Sequence, residues 1–582
     1  VDGDQIRTLK VLSRPDAPHE AIAEGIRRLG LDREPFEAVV GTTIATNALL
    51  ERRGAELALV TTRGFEDLVE IGRQARGSLY DLSWERPEPL VPRGRRIGVA
   101  ERVGPGGMRV TPLSLPQVRR AARRLKGAVD AVVVCFLHSY ASPQHEEQAA
   151  AILRRAGLPT ICSSEVLPEY REFERFSTAL AAAYVEPVMS RYLEGLRRVM
   201  GNRATRVTSG TGGTLTAEGA ARRPAETLLS GPVAGVCAAH ALAAGRVISL
   251  DMGGTSTDVA LIDGEPRRSR DLAIAGVPVR LPFVEIETIG AGGGSIIYVD
   301  AGGALRVGPR SAGAHPGPAC YGRGGTEFTL TDAHLLLGRL PPSIGGIRLE
   351  RARAEEAAAP FGPDAPRAAI EIANAAMERA VKVVSVERGY DPADFTLVAF
   401  GGMGPLHACD LVDRLGLKAA LVPRHAGCFS ALGAVLGDFT TERWRSASEA
   451  NDAAFGRLEE ELRERLRREG LDPAAAVVRR RVEMRYVGQS YELTLDWPAS
   501  EDDFHAAHRL RYEHDRRGDP IETVTVGVRM TIPRARPPLR FASPPRAVGP
   551  AMLVLESATV WVAEGFEANP DESGNLLLVR RG

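Results

Sequence analysis

The run Ser249–Leu261, SLDMGGTSTDVAL, decides how the rest of the chain is read. Its lead-in, RVISL at residues 246–250, reads as a buried strand that delivers Asp251 at its C-terminal end. Gly253 and Gly254 follow as a tight turn without side chains, so backbone N–H groups can approach phosphate oxygens closely. Thr255, Ser256 and Thr257 add hydroxyl donors. Asp251 and Asp258 are acceptor-only when ionised and suit either Mg2+ ligation or the orienting of a hydroxyl. The chain then returns as a second strand through VALID, residues 259–263. A strand–turn–strand grip of this kind differs from the loop-to-helix grip of Walker A proteins. A Gly-Gly turn alone is usually structural. Two aspartates and three hydroxyls around it move the reading to a phosphate site.

A second glycine junction lies about 150 residues downstream. VAFGGMGPLHACDLVDRLG, Val398–Gly416, reads as an apolar strand, a loop holding Gly401, Gly402 and Gly404, and a helix opened by Pro405. That order leaves bare backbone against which an adenine or ribose can lie. His407 reads first as a packed histidine and second as a catalytic base. Between the junctions a long helix is expected from Pro366 to about Arg388, stopped by Gly389. Its apolar face is carried by Ala369, Ala373, Ala376, Ala380 and Val383, small residues that imply close packing against protein or against a nucleotide.

Upstream, Phe36–Leu50, Ala55–Thr62 and Ala128–Tyr140 each hold a buried-strand candidate. Ser114–Gly127 and His145–Gly157 read as helices closed by glycine. This alternation defines an α/β unit. Thr42, Thr43 and Asn47 sit where the strand at Ala38–Val40 meets a helix, so N-capping and ligand binding are both open. The opening VDGDQI, Val1–Ile6, matches IDGEPR at Ile262–Arg267 but has no glycine motif before it. That match points to a duplicated fold whose first copy lacks its own phosphate motif. The expected organisation is an N-terminal unit over 1–245, a second α/β unit over 246–441 and a mixed, β-rich C-terminal domain over 442–582, with Ile532–Pro550 as a Pro-rich connector.

Composition limits the function classes. The chain has 582 residues with 74 basic and 74 acidic side chains, so bulk charge selects neither nucleic acid nor a membrane surface. Its six cysteines form no CxxC pair, which excludes a zinc ribbon and suits a reducing compartment. His315, Cys320 and His334 lack zinc spacing. No signal-peptide pattern or membrane-length apolar run occurs, and a cytoplasmic location is expected.

Taken in order, these motifs resemble the hydantoinase A / 5-oxoprolinase family. The stretches that carry the resemblance are Gly41–Gln74, Leu228–Val236 (LLSGPVAGV), Ser249–Leu261, Thr288–Ile296 (TIGAGGGSI), Val307–Gly325, Phe400–Ala408, Met484–Leu493 and Gly549–Val562. The resemblance implies two actin-like, ribonuclease H-like lobes around an ATP cleft. It implies a separate B-type partner subunit, hence a hetero-oligomer, and ATP with Mg2+ as cofactors. Asp251, Gly253, Gly254, Thr255, Thr257 and Asp258 match the family's second phosphate motif, Gly401, Gly402 and Gly404 its nucleotide loop, and Ser230 and Gly231 flank the phosphates. Asp251 and Asp258 are the expected metal-binding and catalytic carboxylates, and Thr42, Thr43 and Asn47 the expected substrate contacts. Gly290–Ile296 reads as backbone that approaches a ligand or as a lid. The implied activity is phosphorylation of a cyclic amide carbonyl for hydrolytic ring opening. Two other readings are a ketone carboxylase with the same ATP half-reaction and a non-catalytic nucleotide-binding subunit. The last follows from the missing first phosphate motif, which is read here as truncation of a longer chain. Met403, Thr211 and Ala182 depart from the family pattern and bear on substrate identity. A sugar kinase is disfavoured by the match through the C-terminal domain.

Overall fold

The computed structural model describes residues 1, 6–11, 14, 16–75, 77, 80–81, 85–243, 245–534 and 543–581. Residues 2–5 of the opening match and residues 535–542 of the expected connector lie outside them. The three upstream strand candidates form as Ala38–Val40, Leu57–Thr62 and Ala131–Cys135. Leu57–Thr62 and Ala131–Cys135 are buried throughout and sit at the centre of a parallel four-stranded sheet, between Arg96–Val99 and Thr160–Cys162. The helices Leu115–Leu125 and Gln144–Arg155 cover it, their Val118, Ala122, Ala149 and Leu153 meeting Val132 and Val134 in one apolar cluster. A continuous apolar strand needs cover on both faces; these two helices take one, and helix Glu172–Met200 takes the other, where Phe176, Leu180 and Ala183 join Leu57, Leu59 and Val133.

A nine-stranded sheet holds the middle of the chain. Arg246–Met252 pairs antiparallel with Thr257–Asp263 on one side and parallel with Thr396–Phe400 on the other. Thr396–Phe400 pairs parallel with Ala419–Val422, which pairs antiparallel with Leu576–Arg580. The same order occurs in the first unit. Ala38–Val40 leads through a Gly41 loop into helix Ile44–Leu50, and pairs parallel with Thr205–Thr208, which pairs antiparallel with Thr214–Thr216. The two units share this strand arrangement, although in the first the hairpin follows the loop-bearing strand and in the second it precedes it.

The C-terminal stretch divides between two sheets. Residues 439–532 build an antiparallel sheet, Phe439–Ser446, Ile521–Ile532, Val477–Tyr486 and Leu493–Asp496 in order, with helices Asp452–Arg468 and Glu501–Tyr512. The strands at Phe566–Pro570 and Leu576–Arg580 instead extend the middle sheet, crossing the boundary drawn at residue 442. The reason is apolar register: Leu576, Leu577 and Leu578 lie opposite Val422, Leu421 and Ala420 and close an edge that water would otherwise reach. The long helix runs Ala365–Val384 and continues as a short 3-10 turn to Arg388, where Gly389 turns left-handed. Ala369, Ala373 and Ala380 are buried as expected, and Met377 and Val384 are buried where Ala376 and Val383 are only partly so, so the stripe follows the 3.6-residue period more closely than the sequence reading did.

Helices Ser230–Leu242 and Phe429–Leu436 join the first unit to the middle sheet and cross at two glycines. A Cβ on Gly433 would fall inside the carbonyl oxygen of Ala234, and one on Gly235 would meet the Phe400 ring at 2.6 Å. Gly433→Ala is expected to cost at least about 1–3 kcal/mol through overpacking, read as a lowered melting temperature. A second joint is ionic. Arg270 and Arg280 both pair with Glu169 and Glu483, tying residues 268–284 to the first unit and to the C-terminal sheet. No helix of the described residues is long and apolar enough to cross a membrane.

Candidate functional site

The decisive run folds as the hairpin its sequence predicts. Asp251 stands directly opposite Asp258, and Met252 opposite Thr257, so residues 253–256 form the turn. The Gly253 N–H donates to the Ser256 carbonyl at 3.0 Å. Both carboxylates are partly buried and each has one hydroxyl partner: Ser430 donates to Asp251 Oδ2 at 3.0 Å and Thr288 to Asp258 Oδ1 at 2.6 Å. Burial pushes the Asp258 carboxyl up to about 7 against the Thr288 hydrogen bond, and the neighbouring Asp251 adds to the rise. Burial also raises Asp251, opposed by Ser430 and by the positive charge of Lys10. Asp258 is thus poised to change charge near neutrality.

Two loops pack against the hairpin. From one side, the Gly293 and Gly294 N–H groups donate to the carbonyls of Gly253 and Gly254 at 3.0 and 2.6 Å. A Cβ on Gly292 would meet Thr255 N at 2.6 Å. Gly292 and Gly294 are therefore bare against the hairpin backbone, while a Cβ on Gly290 would meet Pro309 and one on Gly293 would meet Met403 and Thr331, so packing accounts for the glycines of this run without a ligand or a lid. From the other side, Met403 N–H donates to the Met252 carbonyl at 3.0 Å and Gly401 N–H to the Ala426 carbonyl at 2.9 Å. Gly401 has φ +80° and its Cβ would overlap Met252 O, so this glycine is demanded by conformation and packing. Gly404 opens helix Gly404–Leu415 in ordinary contact with Leu250.

Gly253, Gly254 and Gly402 differ from these. None has a positive φ; a Cβ on Gly254 or Gly402 would meet nothing within 4 Å, and one on Gly253 would meet only Ser256 O at 3.9 Å. Gly254 and Thr255 are exposed at the turn. Nothing in the fold asks these three positions to lack a side chain. Thr257, by contrast, is buried and donates its hydroxyl to the Ala291 carbonyl at 2.6 Å, so it braces the hairpin instead of offering a free donor.

The remaining sequence candidates meet at the start of helix Ser230–Leu242. The Ser230 hydroxyl donates to the Thr42 carbonyl at 2.8 Å, and a Cβ on Gly231 would touch the Thr43 methyl at 3.1 Å. Thr42 Oγ1 accepts from Ile44 N–H at 3.2 Å, and Asn47 Nδ2 donates to Thr43 Oγ1 at 3.3 Å. These are local side-chain contacts at the start of helix Ile44–Leu50, whose N-cap Thr43 makes no side-chain capping bond. Gly235, in van der Waals contact with Phe400 and Ser430, lies one turn along the helix from Gly231, roughly 6 Å at 1.5 Å per residue. Gly235 is thus linked to the Asp251 carboxylate through Ser430.

Ser430, Thr288 and Lys10 were missed by the sequence reading. Ser430 had a legible signal, since GCFSALG at 427–433 is a glycine entry to an apolar helix. Thr288 had none; it reaches Asp258 only because strand Glu287–Ile289 pairs with the hairpin. Lys10 donates to the Ser557 carbonyl at 3.0 Å, a contact spanning most of the chain. No group of three or more His, Cys, Asp and Glu that could hold a metal occurs among the described residues.

The site is thus a paired-carboxylate hairpin held beside the glycine loop 401–404. The profile of the hydantoinase/oxoprolinase family matches residues 175–443, and that of the hydantoinase/oxoprolinase N-terminal region matches residues 1–157. The chain belongs to this family. It is 34% identical to the caprolactamase subunit alpha of Pseudomonas jessenii, over 94% of this chain and 87% of that protein. The crystal structure of the ATP-dependent caprolactamase from Pseudomonas jessenii superposes with a TM-score of 0.85 at 29% identity, covering 100% of this chain and 97% of that one. A nucleotide-free acetone carboxylase superposes with a TM-score of 0.80 at 26% identity, covering 98% and 96%.

Proposed function

We propose that this chain is the A-type subunit of an ATP-dependent amidohydrolase, in which a cyclic amide carbonyl is phosphorylated and then opened by water together with a B-type partner subunit. The repeated order of strand, glycine loop and helix supports two actin-like lobes with the nucleotide between them. The observation that carries the reading is that Gly253, Gly254 and Gly402 are bare without any packing or conformational cause, next to two carboxylates.

Asp251 and Asp258 would hold Mg2+: two opposed carboxylates fit a hard cation that keeps most of its waters and takes its other ligands from phosphates. When bound, ATP and Mg2+ supply a transferable phosphoryl group and neutralise its charge, which turns an unreactive amide oxygen into a leaving group. The chain's own part is positioning. Backbone at 254–255 and 402 binds the phosphate tail closely, the start of helix Ser230–Leu242 adds a favourable dipole, and Ser430 and Thr288 fix the carboxylate orientations. With Thr288 on Oδ1, Asp258 holds its proton on Oδ2 below about pH 7 and releases it above.

The similarity to acetone carboxylase favours a second reading, a ketone carboxylase subunit using the same ATP half-reaction. Both are tested by ATP hydrolysis of the chain co-purified with its B-type partner. Stimulation by hydantoin, 5-oxoproline or caprolactam is the expected result. Stimulation by small ketones with bicarbonate instead selects the second reading, and no nucleotide-dependent response to either class contradicts both.

A further inference from the structure

Beneath the two loops lies a buried polar chain that the proposed chemistry does not use. Arg339 pairs with Asp410 at 3.0 Å, and Asn374 Nδ2 donates to the same carboxylate at 3.1 Å. Asn374 Oδ1 faces His407 Nδ1 at 2.6 Å, and His407 Nε2 faces His334 Nε2 at 3.1 Å with the rings nearly perpendicular at 88°. Asn374, His334 and His407 have no solvent exposure.

The carboxylate fixes every proton in this chain. Asp410 only accepts, so the Asn374 amide nitrogen points to it and the Asn374 oxygen must accept. His407 therefore donates from Nδ1. Burial holds His407 down to about 4 and His334 well below its ordinary value, so both rings are neutral. The lone pair on His407 Nε2 then accepts from His334 Nε2–H. His334 Nδ1 is left as a buried acceptor without a partner. A bare acceptor in the core is costly, and it is tolerated here as the end of a chain with one direction.

The two histidines stand on the helices that carry the loops. His334 lies three residues after Thr331, whose N–H and hydroxyl both donate to the Gly293 carbonyl at 2.8 Å. Gly293 in turn donates to the hairpin at Gly253. His407 lies three residues after Gly404, at the end of the loop whose Met403 N–H holds Met252. We propose that the His334–His407 hydrogen bond is a positioning clamp: it sets the spacing between the glycine loop 401–404 and the hairpin turn 253–256, and through it the affinity for the nucleotide's phosphates. The clamp rests on the reading of those two loops as a nucleotide grip.

The test is the affinity of the full chain for Mg2+ and a fluorescent ATP analogue, with melting temperature as the check on folding. His334→Leu removes the donor and is expected to weaken binding about ten- to a hundredfold, the scale of a misplaced binding group. His334→Gln returns an N–H donor at the Nε2 position and is expected to bind within about threefold of the unmodified chain. If His334→Leu does not fold, His334→Asn, polar but too short to reach His407, takes its place with the same expected loss. Rescue by Gln separates positioning from mere packing. Unchanged affinity in His334→Leu or His334→Asn, or equal losses in those variants and His334→Gln, overturns the clamp. An unmodified chain that binds no analogue overturns the nucleotide reading itself and the clamp with it.

Discussion

Gly254→Val is expected to fold like the unmodified chain and to lose ATP turnover by at least about 100-fold, the scale seen when a preorganised donor is denied its charge partner. The expectation comes from what surrounds the position. The backbone there has no positive φ, and a Cβ would meet nothing within 4 Å, so the protein has room for the new side chain. In the proposed function, the space it would fill is where phosphate comes close to backbone N–H groups. Gly292→Ala is the informative contrast. Its Cβ would meet Thr255 N at 2.6 Å, so it should lower the melting temperature before it affects binding. Matched melting curves with divergent turnover for Gly254→Val, set beside a destabilised Gly292→Ala, separate the site from its scaffold.

Asp258→Asn carries the second large effect and has two opposite signs. Turnover should fall about 10²- to 10³-fold, because a charge-bearing group at the reacting phosphates is lost. Stability of the nucleotide-free chain should rise at pH 8. The folded-state value is raised, to about 7 from an ordinary 3.8, by burial first and by Asp251 second. A raised carboxyl stabilises the folded form below its unfolded value. That contribution is lost as pH climbs from about 4 through 7, amounting to about 4 kcal/mol at most for a group only partly out of solvent. Asparagine never ionises and escapes the loss. Denaturant unfolding at pH 5 and pH 8 reads this directly: the variant and the unmodified chain should differ more at pH 8. A bound cation reverses the logic by favouring the carboxylate, so affinity for Mg2+ and ATP should tighten from pH 6 to pH 8 in the unmodified chain and stay flat in Asp258→Asn.

Most of the local architecture was legible because it is set by short-range patterns. VVVC at 132–135 reads as a candidate buried strand, and SLPQVRRAARRLKG places its apolar residues on one helical face. The hairpin was legible for the same reason, two apolar strands flanking a Gly-Gly turn. What escaped depends on pairing across long separations. Nothing near Leu576 announces that it will lie beside Val422, and nothing near Thr288 announces Asp258. Nor does a string of glycines declare which are bare for a ligand. Gly292 and Gly401 are bare for neighbouring backbone, while Gly253, Gly254 and Gly402 have no such neighbour. Thr257 looked like a donor and proved to be a brace, because burial decides where a hydroxyl points.

The most direct test of the account is a crystal structure of the chain with Mg2+ and a non-hydrolysable ATP analogue. The account predicts phosphate density against the backbone of Gly254, Thr255 and Gly402, with the cation beside Asp251 and Asp258. Saturating analogue bound elsewhere, with the hairpin turn open to solvent, would contradict it.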